Sequence, residues 1–175
     1  MTALAGRTTA RSAAPITADE FRSVFRGHPA GVAVVALRDG DRRVGFTATS
    51  VISVSADPPL LAFSMATASS SWPAVARAST LAVSFLAHDQ AELSARFATS
   101  GIDRFADGGW RDLDTGEPVI DGAAAWVRAR IVQRTPVGSS HLVTLEALRR
   151  HVEPGAGPLV FHDRGYHRLG ADGRL

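Results

Sequence analysis

The chain has 175 residues, of which 45% are hydrophobic and 21% are charged, and its formal net charge is +2. This composition is typical of a globular protein with one domain, long enough to bury a core. The chain has no cysteine, which excludes disulfides, thiol nucleophiles, iron–sulfur clusters and thiolate zinc sites. It also has no lysine, so all 19 basic residues are arginine. Schiff-base chemistry and a Walker-type phosphate loop are therefore excluded as well.

The charge pattern does not indicate a nucleic-acid partner, although the isoelectric point is about 10.3. Without cysteine or lysine, and with a single tyrosine, almost no group titrates between histidine and arginine. A small positive charge therefore persists to high pH. The arginines alternate with acidic residues and form no dense basic run of the kind that follows a phosphate backbone.

The sequence predicts neither a membrane span nor a signal peptide. No apolar run approaches the roughly 20 residues of a membrane-spanning helix, and the N-terminal segment lacks the apolar region of a signal peptide. The sequence therefore predicts no membrane partner and a cytoplasmic location. We expect a disordered tail over residues 1–15, one domain over 16–170 and a short tail over 171–175.

The first ordered element is predicted to be a short amphipathic helix. The segment Thr17–Glu20 has the pattern of a capping box, and Gly27 ends the helix. Phe21, Val24 and Phe25 form an apolar stripe at helical spacing, so we expect this face to pack against another element.

The rest of the chain is mainly strand-like. Short helices are predicted over 72–78 and 89–98, and residues 100–122 are expected to form an ordered connection without strands. Alternating or β-branched segments with turn signals between them predict strands over 31–37, 44–54, 60–65, 81–86, 123–133, 141–148, 158–162 and 166–169. Little strand–helix alternation is present, so the residues predict an antiparallel barrel with flanking helices.

Hydroxyl groups cluster in two segments that could bind an anion without lysine. Thr47, Thr49 and Ser50 lie on one predicted strand, and Ser69–Ser71 precede the helix that begins near Trp72. Hydroxyls and free amides at a helix N-terminus attract phosphate. The same residue types are also ordinary in strands and caps, so both interpretations remain open. No carboxylate pair, catalytic triad or metal-ligand spacing stands out, and no metal is expected.

Several motifs follow one another in an order that is specific even though each is loose. They are FRSVFRGHPAGVAVV (21–35), VGFTATSVISV (44–54), SADPPL (55–60), SSSW (69–72), RFA (96–98), DRFA (103–106), Trp110, Ser140–His141, PLVFH (158–162) and YHRL (166–169). In this order the chain resembles the flavin reductase-like family of FMN-binding split barrels. These proteins are the small reductase components of two-component flavin monooxygenases. The resemblance covers about residues 21–169.

The resemblance implies a mainly β fold, an antiparallel Greek-key split β-barrel with short flanking α-helices. It also implies two groups of site residues. His141 would lie near the nicotinamide and the flavin as the catalytic residue. Ser69, Ser71 and Arg104 would lie at the phosphate of the flavin. The full set of residues that would contact the flavin is Thr47, Ala48, Thr49, Ser50, Ser64, Ser69, Ser70, Ser71, Arg104, Phe105 and Tyr166.

The resemblance implies an NAD(P)H:flavin oxidoreductase. FMN or FAD would accept a hydride at N5 from NADH or NADPH, and the reduced flavin would then leave for a separate partner monooxygenase. A homodimer is implied, in which the partner subunit helps to complete the flavin site. Because the cofactors carry the chemistry, the protein need only hold and align them, which suits a chain without lysine or cysteine.

Two positions depart from the family pattern. Ala30 stands where the family often has threonine, and Ser140 replaces the aspartate of its Gly-Asp-His motif. If that carboxylate orients the histidine, its loss changes the tautomer or pKa of the ring. Two alternatives therefore remain: a flavin-binding or carrier protein without efficient turnover, and a split barrel that binds another cofactor such as haem.

Other prominent side chains are predicted to be structural. Trp72 and Trp126 are expected in packing or interfaces. His162 and His167 could meet across the last hairpin without forming a metal site. We expect a solvated strand face formed by Arg128, Arg130, Arg149 and Arg150.

Overall fold

The computed structural model describes residues 14–170, so the two predicted tails lie outside the described residues except for Ala14 and Pro15. Within this range there are three short helices: α1 (Ala18–Arg26), α2 (Trp72–Arg77) and α3 (Ala91–Ala98). The strands are β1 (Ala30–Gly31), β2 (Ala33–Asp39), β3 (Arg42–Ala48), β4 (Ile52–Ser55), β5 (Leu60–Ala66), β6 (Thr80–Phe85), β7 (Trp110–Asp112), β8 (Pro118–Ile120), β9 (Ala125–Val137), β10 (Ser140–Val152), β11 (Leu159–His162) and β12 (Gly165–Arg168). No helix in residues 14–170 is long and apolar enough to cross a bilayer.

The main sheet has seven strands in the order β3-β2-β6-β9-β10-β5-β4, and every neighbouring pair is antiparallel. β3 and β4 are the two edges, yet only Thr49–Val51 join them. Ala48 and Ile52 are four residues apart, so their Cα atoms are at most about 14 Å apart. In a flat seven-stranded sheet, the two edge strands would be about 29 Å apart. The sheet must therefore curl until its edges approach. The mainly β, antiparallel split barrel with flanking helices is confirmed.

The predicted single strand over 44–54 is wrong, because the chain leaves the sheet after β3 and rejoins its far edge as β4. The hydroxyl of Ser50 explains the break. Its Oγ donates to the Ser64 carbonyl and accepts from the Ser64 amide, both at 3.0 Å. The Ser50 side chain thus pairs with the backbone of Ser64 on β5, where no strand of residues 14–170 continues the sheet beyond β4.

The connection over 100–122 is ordered, but the expectation that it lacks strands is wrong. It contains the hairpin β7–β8, which is fixed to the barrel by Asp112. This carboxylate accepts from Arg43 Nη2 at 2.6 Å and from Arg38 Nη2 at 2.9 Å. The hydrogen bond from Arg43 lowers the pKa of Asp112.

The expected solvated arginine face is correct only in part. Arg130 and Arg149 are exposed and pair with surface carboxylates. Arg128 differs, because it turns toward Glu117, a buried carboxylate, with 2.9 Å between Nε and Oε2. The reason is that β8 packs over β6 beside β9 and brings a buried negative charge that needs a partner.

Residues 14–170 contain three buried apolar clusters, and the two larger ones lie on opposite faces of β2. Alternating residues such as Val35, Phe63 and Val143 fill the barrel. On the outer face, Phe97 and Phe105 pack edge to face with 5.1 Å between ring centroids, and Trp110 packs in the same way on Phe105. This outer cluster holds α3 and the 103–110 segment against β2 and β3.

Helix α1 has the predicted capping box: the Thr17 hydroxyl accepts from the Glu20 amide, and the Glu20 carboxylate accepts from the Thr17 amide. Its apolar stripe, however, is not packed as expected. Phe21, Val24 and Phe25 remain 53%, 65% and 57% exposed. No residue of α1 is buried within the part of the chain that the structure describes.

Gly45 is the position where β3 comes closest to the outer cluster. A Cβ atom here would lie 2.7 Å from Phe97 Cε1 and 3.0 Å from Phe105 Cζ. Both rings are buried and cannot move aside freely. We therefore expect Gly45→Ala to lower the free energy of unfolding by about 2 kcal/mol, as overpacking does. Urea denaturation measures this. Gly31→Ala is the control, because nothing lies within 4 Å of its Cβ position.

Candidate active site

A cavity of about 580 Å³ lies where β3 and β5 end beside the C-terminus of α3. Three buried apolar residues, Phe46, Met65 and Phe97, are among those that line it. Its other walls come from the β3–β4 link, the end of β5, the segment before α2 and the residues after α3: Thr47, Ala48, Thr49, Ser50, Ser64, Ala66, Ala68, Ser69, Ser70, Ala98, Ser100 and Arg104. We call this the main cavity.

The structure brings eight of the twelve predicted site residues into the main cavity. They are Thr47, Ala48, Thr49, Ser50, Ser64, Ser69, Ser70 and Arg104. Ser71 and Phe105 line a second cleft that adjoins it. His141 and Tyr166 line neither space.

The hydroxyls that line the main cavity fall into two groups. Thr47 Oγ1 donates to the Ser94 carbonyl at 2.6 Å, and Ser50 is bound to the Ser64 backbone. Within residues 14–170, the hydroxyls of Thr49, Ser64 and Ser70 make no hydrogen bond, so they are available to a ligand.

The expected free amides at the start of α2 are largely occupied. Trp72 N–H donates to the Ser69 carbonyl at 3.0 Å, and Ser71 N–H donates to Ser69 Oγ at 3.3 Å. Pro73 has no N–H. The amides of Ser71 and Trp72 are therefore not available to a phosphate, whereas Ser70 and Arg104 line the main cavity.

Arg104 is the cation of the main cavity. Its Nε donates to the Thr99 carbonyl at 2.8 Å, and its Nη1 donates to the Gly45 carbonyl at 2.6 Å and to Ser71 Oγ at 3.3 Å. All three acceptors are neutral, and no carboxylate of residues 14–170 forms a salt bridge with it. Partial burial lowers the pKa of Arg104. Its charge is therefore fixed in place, partly desolvated and unmatched, which suits an anionic ligand.

His141 lies at the start of β10, where its ring packs on Trp72. The two rings are stacked with 3.7 Å between centroids and 17° between planes. The Thr67 hydroxyl lies 3.2 Å from His141 Nδ1. With serine at position 140, this hydroxyl is the side chain that orients the imidazole. The predicted packing roles of Trp72 and of Trp126, which is 6% exposed, are confirmed.

Tyr166 reaches the main cavity only through another residue. Its hydroxyl lies 2.9 Å from Ser94 Oγ, and Ser94 is fully buried on α3. The Ser94 carbonyl in turn accepts from Thr47. The side chain of Tyr166 thus ties the last hairpin to α3 and β3.

The histidines of the last hairpin meet as expected, with 5.7 Å between the ring centroids of His162 and His167. Among residues 14–170 there is no group of three or more ligand side chains that could hold a metal ion.

Sequence analysis did not identify several of these groups. Met65 and Phe97, which line the main cavity, were not predicted as site residues. Thr67, which orients His141, and Ser94, which bridges Tyr166 and Thr47, were also not predicted. Only Phe97 had a visible signal, since it lies in the RFA motif. The others join the site through pairing between distant segments, such as the Met65–His141 pair of β5 and β10.

The fold and the main cavity define a class of protein: a small split barrel whose main cavity is large enough for a nucleotide-sized ligand. A family model described as the flavin reductase like domain matches residues 25–170, and the chain belongs to this family. The resemblance inferred from its motifs is confirmed.

Individual relatives agree with this assignment. An NADH:FMN oxidoreductase of Rhodococcus qingshengii is 45% identical over 158 residues, which are 87% of this chain and 82% of the relative. The NADH:FAD oxidoreductase SgcE6 of Streptomyces globisporus C-1027, solved with NAD and FAD fragments, has a TM-score of 0.84 at 27% identity, covering 89% of this chain and 94% of that one. Nitrilotriacetate monooxygenase component B of Mycobacterium thermoresistibile has a TM-score of 0.85 at 28% identity, covering 90% and 89%.

Proposed function

We propose that this protein is an NADH-dependent flavin reductase that holds FMN or FAD in the main cavity and supplies reduced flavin to a separate monooxygenase. The observation that carries this proposal is Arg104, an unmatched and partly desolvated cation that lines the main cavity. The relatives named above use NADH with FMN or with FAD, and one of them is a monooxygenase component. We place the protein in the cytoplasm, where reduced nicotinamide is available.

The residues present fit a flavin nucleotide. The volume of about 580 Å³ lies within the usual range for such ligands. The free hydroxyls of Thr49 and Ser64 are suited to the polar edge and ribityl chain. Ser70 and Arg104 are suited to the phosphate.

The chemistry needs little from the protein beyond position. A bound flavin supplies the hydride acceptor, and the reduced nicotinamide supplies the donor. Arg104 would hold the phosphate end of the flavin. We propose that His141 contacts the nicotinamide. Thr67 engages its Nδ1, so Nε2 is the ring nitrogen left to donate or accept a hydrogen bond. Trp72 prevents the ring from turning.

The absorption spectrum of the protein purified with added FMN, followed by a steady-state assay, tests this proposal. We expect a flavin spectrum, and NADH oxidation that requires added or bound flavin. A haem spectrum supports the split barrel with another cofactor. Tight flavin binding without NADH oxidation supports the carrier function instead.

We also propose a homodimer in which a second copy covers α1. A nine-residue helix is unstable alone in water, and its apolar stripe is more than half exposed within the described chain. Exposed apolar side chains also lie on β4 and β10, at Ile52 and Leu142.

The homodimer predicts a specific effect of one charge on this stripe. We expect wild-type protein to elute as a dimer and Val24→Asp to shift it to a monomer, because the aspartate would be buried in the interface. Light scattering after gel filtration measures the mass. Ser23→Asp, on a neighbouring face of α1, is the control and should remain dimeric. A monomeric wild-type protein would contradict the proposal.

A further inference from the structure

Helix α1 and the hairpin β11–β12 enclose a cleft of about 230 Å³, which we call the α1 cleft. Arg22, Phe25 and Arg26 line it from the helix, and Phe161 and Arg164 line it from the hairpin. The α1 cleft shares no lining residue with the main cavity. Its ligand is therefore a matter separate from the proposed flavin site.

The α1 cleft carries an excess of positive charge. Among the described residues that line it, three arginines stand against a single carboxylate, that of Asp163. Within residues 14–170, Arg26, Arg164 and Asp163 form no salt bridge. Arg22 pairs with Asp19, whose side chain is 93% exposed, and ion pairs of this kind contribute little. The cleft can therefore offer guanidinium groups to an anion.

The turn of the hairpin holds Arg164 in an unfavourable backbone conformation. His162 pairs with Gly165 across the hairpin, so Asp163 and Arg164 form a two-residue turn. Their φ angles are 45° and 65°, as a type I′ turn requires. Aspartate is common at the first position of such a turn, whereas glycine is preferred at the second and a larger side chain is strained there. The chain thus keeps a guanidinium at a strained position, and that guanidinium lines the cleft.

The α1 cleft also has aromatic walls. The exposed Phe25 and the half-buried Phe161 line it beside the arginines. Aromatic rings and guanidinium planes both stack on a flat ligand, and a guanidinium fork pairs with a carboxylate through two hydrogen bonds. A volume of about 230 Å³ is too small for a nucleotide and suits a ligand with one ring.

We propose that the α1 cleft binds a small aromatic carboxylate. The carboxylate lies between Arg26 and Arg164, and the ring lies beside Phe25 and Phe161. Such a ligand contacts the helix and the hairpin at once, where the Asp163 amide already donates to the Arg26 carbonyl at 3.1 Å. Because no residue of α1 is buried within the described chain, the bound ligand should hold α1 more firmly against the hairpin.

Titration calorimetry with benzoate at low salt, with and without excess FMN, tests this proposal. We expect one site per chain with a dissociation constant of about 1 mM or below, unaffected by FMN. Acetate, which has no ring to bury, should bind about tenfold more weakly. Benzoate should also slow hydrogen–deuterium exchange of the α1 amides and leave the α3 amides unaffected.

Arg164→Gly separates a binding role from a structural one. The dissociation constant of benzoate should rise about fivefold, as the loss of one exposed charge-assisted contact predicts. The melting temperature should stay the same or rise, because glycine relieves the strain of the turn. Arg168→Ala is the matched control, since Arg168 is exposed on the same hairpin and does not line the cleft. It should bind benzoate like the wild type.

Four results would overturn the proposal. They are no saturable binding of benzoate, acetate or inorganic phosphate binding as tightly as benzoate, displacement of FMN by benzoate, and binding without protection of α1. Unchanged benzoate binding in Arg164→Gly, with a lower melting temperature, would make the arginine structural and contradict the proposal as well. If Arg164→Gly does not fold, Arg26→Gln gives the same test at an exposed position on α1.

Discussion

Replacing Arg104 with alanine is expected to raise the dissociation constant of FMN about 30-fold, because one charge-assisted contact to phosphate contributes about 2 kcal/mol. The turnover number at saturating flavin should fall much less, since Arg104 lies at the phosphate end and away from the reacting ring. The guanidinium is already held by two carbonyls and one hydroxyl, so little entropy is lost when it meets the ligand. Calorimetry and steady-state kinetics measure the two effects separately.

Two further variants, Arg104→Lys and Arg150→Ala, are the controls that distinguish loss of the Arg104 charge from loss of stability. Arg104→Ala also leaves the carbonyls of Gly45 and Thr99 without their donor and is expected to lower stability, so a melting curve must accompany it. Arg104→Lys keeps the charge without the planar fork and should give an intermediate affinity. Arg150→Ala should bind FMN like the wild type. An unchanged dissociation constant in folded Arg104→Ala would remove this residue from the site.

Acid is expected to destabilise the protein through one buried carboxylate. The Glu117 side chain is 4% exposed and pairs with Arg128. The hydrogen bonds from Arg128, Thr115 and Thr80 outweigh the desolvation by burial and lower the pKa of Glu117 to about 2. The pKa in the unfolded chain is near 4.5. The stabilisation is therefore complete above the unfolded value and is lost as pH falls toward the folded one. This group should contribute about 3 kcal/mol to the decrease in unfolding free energy between pH 5 and pH 2.

Glu117→Gln tests this prediction, because glutamine keeps the shape and cannot ionise. The variant should lose about 3 kcal/mol of stability at pH 7, since Arg128 is left unpaired and mostly buried, and its stability should depend less on pH. Urea denaturation across this pH range measures both effects. Glu146→Gln is the control, because its partner Arg130 is 57% exposed and such pairs contribute little. A variant with the same pH dependence as the wild type would contradict the prediction.

Local patterns were sufficient to predict the antiparallel barrel and the outline of its site. Alternation along 123–133 and the capping box at Thr17 are local signals, and each was correctly interpreted. The hydroxyls at 47–50 and 69–70 likewise lie around the main cavity, and Ser71 lines the adjoining cleft. The motif order added Arg104, which composition alone would not have distinguished from the other arginines.

The features that sequence analysis missed depend on contacts between distant segments. A β-branched run such as 44–54 predicts one strand. The interruption between β3 and β4 becomes visible only when Ser50 bonds to β5, which follows later in the chain. The partner of Arg128 lies on a hairpin without a strand pattern of its own. Thr67 becomes the orienting group for His141 only when β10 pairs with β5. Such pairings leave no signal at the residues themselves.

Anaerobic mixing of NADH with the flavin-loaded protein tests the central claim most directly. The account predicts that the visible absorption band of the oxidised flavin disappears and that one NADH is consumed for each flavin, without any oxygenase present. Persistence of that band in the presence of excess NADH would contradict the account, whatever the affinity for flavin.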